Sequence, residues 1–270
     1  MIRQTAYALV LAVLAACPGR ACAAGGTAGS ANPAVILAKD AVRAVSSPIR
    51  YDRRDWLTFA AVAAAGLGLY SVDGDISDFF RRNAVPPDTS RVFKTFGEGK
   101  YTVPAMAALY GIGCAAKAGR LKTASTLAVE SFLISGFAAN AIKLAVHRHR
   151  PGSGDGPGRF DGASFSNGDT SFPSGHAAVV FSMAGAFAGV YADKPVVAVT
   201  AYSAAVLTGL SRINDDAHWA SDVFFGAAIG YFTAKAVVRY HNVRAEAGAP
   251  AVVLLPGYSN GPQLTLVRRF

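Results

Sequence analysis

From residue 56 onward the chain alternates long apolar runs with short polar breaks. Six runs stand out, at 56–72, 101–116, 123–147, 177–192, 195–211 and 219–237, all rich in Ala, Gly, Leu and Phe. None shows the period-two alternation of a half-buried strand, so each predicts a helix. The tail differs. Ala251 to Leu255 and Gln263 to Val267 flank a break whose Asn260-Gly261 pair is a turn signal, which predicts a short β-hairpin. The expected fold is all-α: a bundle of about six core helices with a C-terminal hairpin.

A bilayer span needs about 20 mostly apolar residues, and several of these runs only just reach that or fall short. Composition tilts the choice, since 52% of residues are apolar and only 16% charged, and membrane embedding is the expectation. Glu130 lies inside the run 123–147 and would have to face the bundle interior in lipid. Cations mark one side. Lys117, Arg120 and Lys122 share a loop, Lys194 lies in another, and Arg239 and Arg244 follow the last run. Alternation places all three regions together, on the cytoplasmic side by the positive-inside rule. The opposite side then holds 72–100, 148–176 and 212–218. Six spans counted from an external N-terminus would put the Lys117 loop outside. Five spans, with 56–72 lying on the surface or packed on the bundle, remove that conflict.

The N-terminus reads as an export leader. Arg3 supplies a positive start, Ala6 to Ala16 an apolar stretch, and Ala21-Cys22-Ala23 a small-residue cleavage site. Leu14-Ala15-Ala16-Cys17 also fits lipoprotein processing, so cleavage after Ala23 and lipidation at Cys17 both stay open. The expected organisation is a signal peptide over 1–23, a linker and N-terminal segment over 24–55, the helical domain over 56–240 and a tail over 241–270. Cys114, inside an apolar run, reads as a small buried hydrophobe. The net charge of +9 is spread without a Lys/Arg-rich run or zinc-finger spacing, which excludes an obvious nucleic-acid binder. Anionic small molecules and anionic lipid surfaces are the better partners.

Three polar clusters fall on the loops of the non-cytoplasmic side. In the first, Lys143 and Arg150 lie seven residues apart, close to two helical turns, so both cations are expected on one stripe ahead of Pro151. In the second, Pro173-Ser174-Gly175-His176 opens a helix, whose N-terminal N–H groups make an anion site with His176 at its edge. In the third, Arg212 precedes His218 and Asp222. At i and i+4 on a helix these two share a face, where the carboxylate can take the Nδ1 proton and leave Nε2 with its lone pair outward. Three cations, an anion-binding turn and two histidines are what phosphoryl transfer without a metal requires. His147 and His149 read as polar lining, no metal-ligand spacing is evident, and no cofactor is expected.

Lys143 with six residues before Arg150-Pro151, then Pro-Ser-Gly-His at 173–176, then Ser211-Arg212 with five residues before His218 and three before Asp222, resembles the three-part signature of the type-2 phosphatidic acid phosphatase and vanadium haloperoxidase superfamily. The resemblance implies a helical bundle with the pocket at one end. It implies that His218 attacks phosphorus to form a phosphohistidine, that Asp222 orients His218, and that His176 protonates the leaving oxygen and then activates water. Lys143, Arg150, Arg212, Ser174 and the Gly175 backbone would hold the phosphoryl oxygens.

The expected activity is metal-independent hydrolysis of a phosphate monoester or pyrophosphate of a membrane lipid. The expected place is the bacterial cell envelope, at the inner membrane with the site facing the periplasm. A secreted soluble acid phosphatase of the same superfamily is the alternative, followed by a vanadium haloperoxidase and a non-catalytic membrane bundle. The Gly/Ser/Asp-rich stretch 152–171 is expected either to cover the pocket or to be solvated slack.

Overall fold

The computed structural model describes residues 53–164 and 170–246, side chains to Asn242, and the backbone of 251–258 and 262–269. The expected leader and most of the linker lie outside the described residues. So does the turn of the expected hairpin, which is taken up below as a proposal.

Each of the six apolar runs folds as a helix: α1 Arg53–Tyr70, α4 Gly99–Ala115, α5 Gly119–Val146, α6 Gly175–Val190, α7 Pro195–Asn214 and α8 Ala220–Glu246. Among the described residues two further α-helices arise from polar sequence, α2 Asp73–Arg82 and α3 Pro87–Thr95. Apolar runs cannot reveal these. Their signals are at the ends: Asp73 and Asp75 in the first turn of α2 with Arg81 and Arg82 in its last, and a Pro at the start of α3.

Helix α6 is the centre, packed on α5, α7 and α8. Leu127 and Ile134 of α5, Val179, Val180 and Met183 of α6, and Val237 of α8 form the buried core. Two glycines set the α6–α8 spacing. A Cβ on Gly226 would fall 2.4 Å from the Ser174 carbonyl oxygen, and one on Gly230 would fall 2.2 Å from that of Ala178. The helices therefore touch backbone to backbone, the close approach that small residues allow.

The outer surface is apolar. Phe137 is 72% exposed and Val196 65%, and Leu67, Val199 and Ile112 also face outward. Helices α5, α7 and the 220–242 part of α8 are long and apolar enough to cross a membrane, and a fourth span results if α1 and α2, bent by 56° at their junction, count as one. The run 56–72 packs on α8 as α1. Cys114 is exposed, contrary to the expectation of a buried thiol. The reason is that α4 packs mainly on α5 and leaves its other face open.

The loops sort to two ends. At one, Arg120 pairs with Asp193 and donates to the Val190 carbonyl at 2.7 Å, which joins the α4–α5 and α6–α7 connections. At the other, 71–99, 147–164, 170–174 and 214–219 interlock, the grouping expected from the charge pattern.

Candidate active site

Helix α5 stops at Val146 because His147 adopts a left-handed conformation (φ 45°). Arg150 therefore sits on an extended segment (φ −81°, ψ 157°), as expected of a residue before proline. This corrects the shared helical stripe: Lys143 and Arg150 reach the site from a helix and from the strand-like segment after it. The Lys143 ammonium donates to the Thr170 and Ser171 carbonyls, both at 2.9 Å, and so holds the turn that leads into α6.

That turn runs through a cis Phe172–Pro173 bond into Ser174, the N-cap of α6, whose Oγ accepts from the Ala177 N–H at 3.4 Å. The Ser174 N–H donates to the Asp222 carbonyl at 2.9 Å, tying the turn to α8. Gly175 begins the helix and His176 follows. Gly97 lies flat on the His176 ring, where a Cβ would come within 2.6 Å of Cδ2. Beside His176 opens a cavity of about 140 Å³ lined by Gly97, Phe132, Gly136, Asn140 and Val179.

Arg212 ends α7 and pairs with Asp215 through its terminal nitrogen. Its Nε, the Nε of Arg150 and the Nε2 of His176 are all buried without a hydrogen-bond partner among the described residues. Unpaired buried polar atoms are rare and costly, and the two guanidinium N–H groups can only donate, so this signature set marks a place for an acceptor-rich group. Near them Glu98 is half-buried. Burial raises its pKa, but the hydrogen bond from Lys100 and the charges of Lys100, Lys94 and His176 outweigh this and leave it lowered.

His218 lies in the tight turn between α7 and α8, 4% exposed. Burial pushes its pKa well below the ordinary 6.5, and Lys143, His176, Arg150 and Arg212 push the same way. The ring is therefore held neutral. Its relation to Asp222 differs from the expected direct contact: Nδ1 is 3.9 Å from Oδ2, because α8 begins only at Ala220 and His218 precedes it. The Ser171 hydroxyl stands between them, hydrogen-bonded to Asp222 Oδ2 and 3.4 Å from His218 Nδ1. A hydroxyl has one proton, and here it goes to the carboxylate. At Nδ1 the Ser171 oxygen can then only accept, which assigns the ring proton to Nδ1 and the lone pair to Nε2.

Arg148, within the first signature but not among the expected site residues, is 1% exposed. It bonds Asp222 at 2.7 Å, Asp73 at 2.8 Å and Ser221 at 2.8 Å, and it lies against the rings of Tyr70, Phe160 and Trp219. His149 bonds Asp155 and Asp161 through its two ring nitrogens, at 2.6 and 2.7 Å. The described part of the 152–171 stretch is thus a hydrogen-bonded loop that stays largely exposed: Arg148 bridges to Phe160, and His149 closes the arc to Asp161. Residues 165–169 lie outside the described residues.

The PAP2 superfamily family model matches residues 124–246. The Rhizobium etli protein named lipid A 1-phosphatase is 30% identical over 199 residues, which cover 68% of this chain and 82% of that protein. The chain belongs to the PAP2 superfamily. The Porphyromonas gingivalis protein of the same name is 38% identical over 132 residues, or 47% of this chain, and the chain spans only 26% of its length. Among solved structures, the PAP2-type phosphatidylglycerolphosphate phosphatase of Bacillus subtilis shares the fold, with a TM-score of 0.51 and 22% identity over 70% of this chain and 94% of that one. All eight expected site residues lie inside the PAP2 match. Gly97, which lines the cavity, Glu98 beside it, and Asp73, which bonds Arg148 and Ser221, lie before it and carry no signature that sequence reasoning could have used.

Proposed function

We propose that the protein is a membrane-embedded phosphatase that hydrolyses a phosphate monoester or pyrophosphate of a lipid through a phosphohistidine on His218. The observation that carries this is the set of buried signature side chains, Arg150, Arg212 and His176, that keep a polar atom unpartnered among the described residues at the end of the bundle where His218 is buried. In the first step Nε2 of His218 attacks phosphorus as the ester oxygen leaves with a proton from His176. In the second, His176 takes a proton from water, the hydroxide displaces His218, and inorganic phosphate departs. Arg150 and Arg212 supply donors to the equatorial oxygens, while Ser174 and Gly175 present the α6 N-terminus. Lys143 shapes the turn and adds its charge.

The apolar outer face and the long helices α5, α7 and α8 support a lipid substrate, and the names of the relatives make a lipid A 1-phosphate the first to test. The cations at the α4–α5 and α6–α7 connections support a cytoplasmic far end and a periplasmic site at the inner membrane. The C-terminal hairpin is part of the same reading, supported by an antiparallel register that pairs Ala251 with Arg269 and Tyr258 with Pro262.

Phosphate release by purified full-length protein should be measured on lipid A, phosphatidate, an isoprenyl pyrophosphate and a soluble phosphomonoester. Wild type is expected to turn over a lipid substrate fastest, and His218→Ala to lose at least about 10⁴-fold in kcat while folding normally. Substantial activity in His218→Ala would sink the nucleophile. Extraction of the protein from membranes by carbonate would sink the embedding.

A further inference from the structure

The polar network beneath His218 reaches far beyond Asp222. Asp73, at the start of α2, is fully buried, and both of its oxygens are engaged. Oδ1 accepts from the Ser221 N–H at 2.9 Å, and Oδ2 accepts from the Ser221 hydroxyl and from Arg148 Nη2 at 2.8 Å. Arg148 Nη1 reaches Asp222 Oδ1, and Asp222 Oδ2 accepts from the Trp219 N–H at 2.9 Å and from Ser171. Arg148 and the Trp219 N–H, one on each oxygen of Asp222, can only donate, so it is arranged as a carboxylate. One guanidinium is shared between two carboxylates, in a site closed by three aromatic rings.

We propose that Asp73 is a positioning residue for His218, acting through Arg148, Asp222 and Ser171. Asp73 and Asp222 hold the Arg148 fork from two sides, so neither can draw it away from the other. Asp222 is thereby fixed with one oxygen on Arg148 and the other on Ser171. The Ser171 hydroxyl, its proton committed to Asp222, turns a lone pair to Nδ1 and fixes the His218 tautomer. With Asp73 neutral, Arg148 Nη2 loses its charged partner in a dry site, and the guanidinium shifts onto Asp222. That competes with Ser171 for the carboxylate and loosens the ring. Helix α2, outside the PAP2 match, is then a working part of the centre.

The inference rests on the proposed role of His218 as nucleophile, and its test separates the two. Asp73→Asn keeps an acceptor for the Ser221 N–H and removes the charge. In the full-length protein kcat is expected to fall at least about tenfold with KM within about twofold of wild type, a loss of the size that orienting partners cause elsewhere. Nitrogen-15 NMR of the histidines should show His218 protonated at Nδ1 in wild type and mixed between tautomers in Asp73→Asn. Ser135→Ala, which removes a buried 3.0 Å hydrogen bond to Ser182 in the core, is the structural control and should lower Tm without changing kcat or tautomer. Wild-type kcat in Asp73→Asn, or a loss of kcat with the tautomer unchanged, would overturn the proposal. If Asp73→Asn does not fold, Arg148→Lys carries the test. It keeps the charge but not the fork, and wild-type kcat there would equally overturn it. Should wild type release no phosphate from any substrate, the function fails, while the tautomer comparison still decides the role of Asp73.

Discussion

Arg120 opens helix α5 and Arg148 follows its far end, and each grips acidic partners. The Arg120 side chain is 47% exposed and its partner Asp193 59%; Arg148 and its partners Asp73 and Asp222 are 1%, 0% and 0%. The contacts look alike, yet water decides their worth. An exposed pair is screened and gains little beyond what each charge already had from solvent. A buried set has no solvent to fall back on, so each member depends on the others, and stability is a weak reason for keeping it. What the buried end gains is position: it fixes Asp222, Ser171 and, through them, the ring of His218.

The largest effect is expected from breaking the buried end. Arg148→Met fits the cage of Tyr70, Phe160 and Trp219 but leaves Asp73 and Asp222 facing each other unpaired. It should cost about 3–5 kcal/mol, read as a large fall in Tm in detergent together with loss of turnover. An unchanged Tm would show that the two ends do not differ as claimed.

Glycines give a second paired test. Gly226→Ala places a Cβ 2.4 Å from the Ser174 carbonyl, while at Gly119, on the far end, a Cβ meets nothing within 4 Å among the described residues. Overpacking of this kind costs about 1–3 kcal/mol, and here it also displaces the turn that presents His176. Gly226→Ala is expected to lower both Tm and kcat, and Gly119→Ala neither. Equal behaviour of the two would mean that the α6–α8 approach does not govern the site.

Much of this asymmetry was legible in the sequence. The six apolar runs gave six helices because a period without alternation in Ala- and Leu-rich stretches has few other solutions. The three clusters met at one end because the successive helices α5, α6, α7 and α8 run back and forth through one packed bundle, joined by connections at its ends. What stayed hidden depended on long-range contacts. Asp73 and Arg148 are 75 residues apart, and neither shows in local pattern that the other is its partner. Ser171 was passed over because the i, i+4 spacing of His218 and Asp222 already offered an orienting carboxylate. The start of α8 at Ala220 opened the gap that the hydroxyl fills. Helices α2 and α3 were missed because their residues are polar and only their ends signal them.

The pH dependence of the two ends should also differ. His149 has its pKa raised by the hydrogen bonds to Asp161 and then Asp155, and both carboxylates are lowered by their bonds to His149. A raised histidine stabilises fully below its ordinary 6.5 and is lost as pH climbs through the folded value. A lowered carboxylate stabilises above its ordinary 3.8 and is lost as pH falls through the folded value. The loop 149–161 should therefore be tightest between 3.8 and 6.5 and loosen above. Hydrogen exchange at the His149 N–H, which bonds the Arg159 carbonyl at 3.0 Å, reads this directly. His149→Gln should flatten the profile. At the far end Asp193, lowered to about 2 first by the hydrogen bond from Arg120, titrates only in strong acid, so its loop should show no change over the same range.

The smallest effect is expected from Arg120→Ala. This side chain donates to Asp193 and to the Val190 carbonyl and lies 4.7 Å from the centre of the Tyr191 ring, a richer set of contacts than most surface arginines make. Contact number alone would rank it beside Arg148. Exposure argues otherwise: Asp193 recovers its hydration when Arg120 is removed, Val190 can turn to water, and salt screens the pair in any case. Tm and phosphate release of Arg120→Ala are expected to match wild type, and added salt should shift Tm of both by the same amount. If Arg120→Ala instead falls as far as Arg148→Met, the far end is a built network too, and burial is not what separates the ends of this bundle.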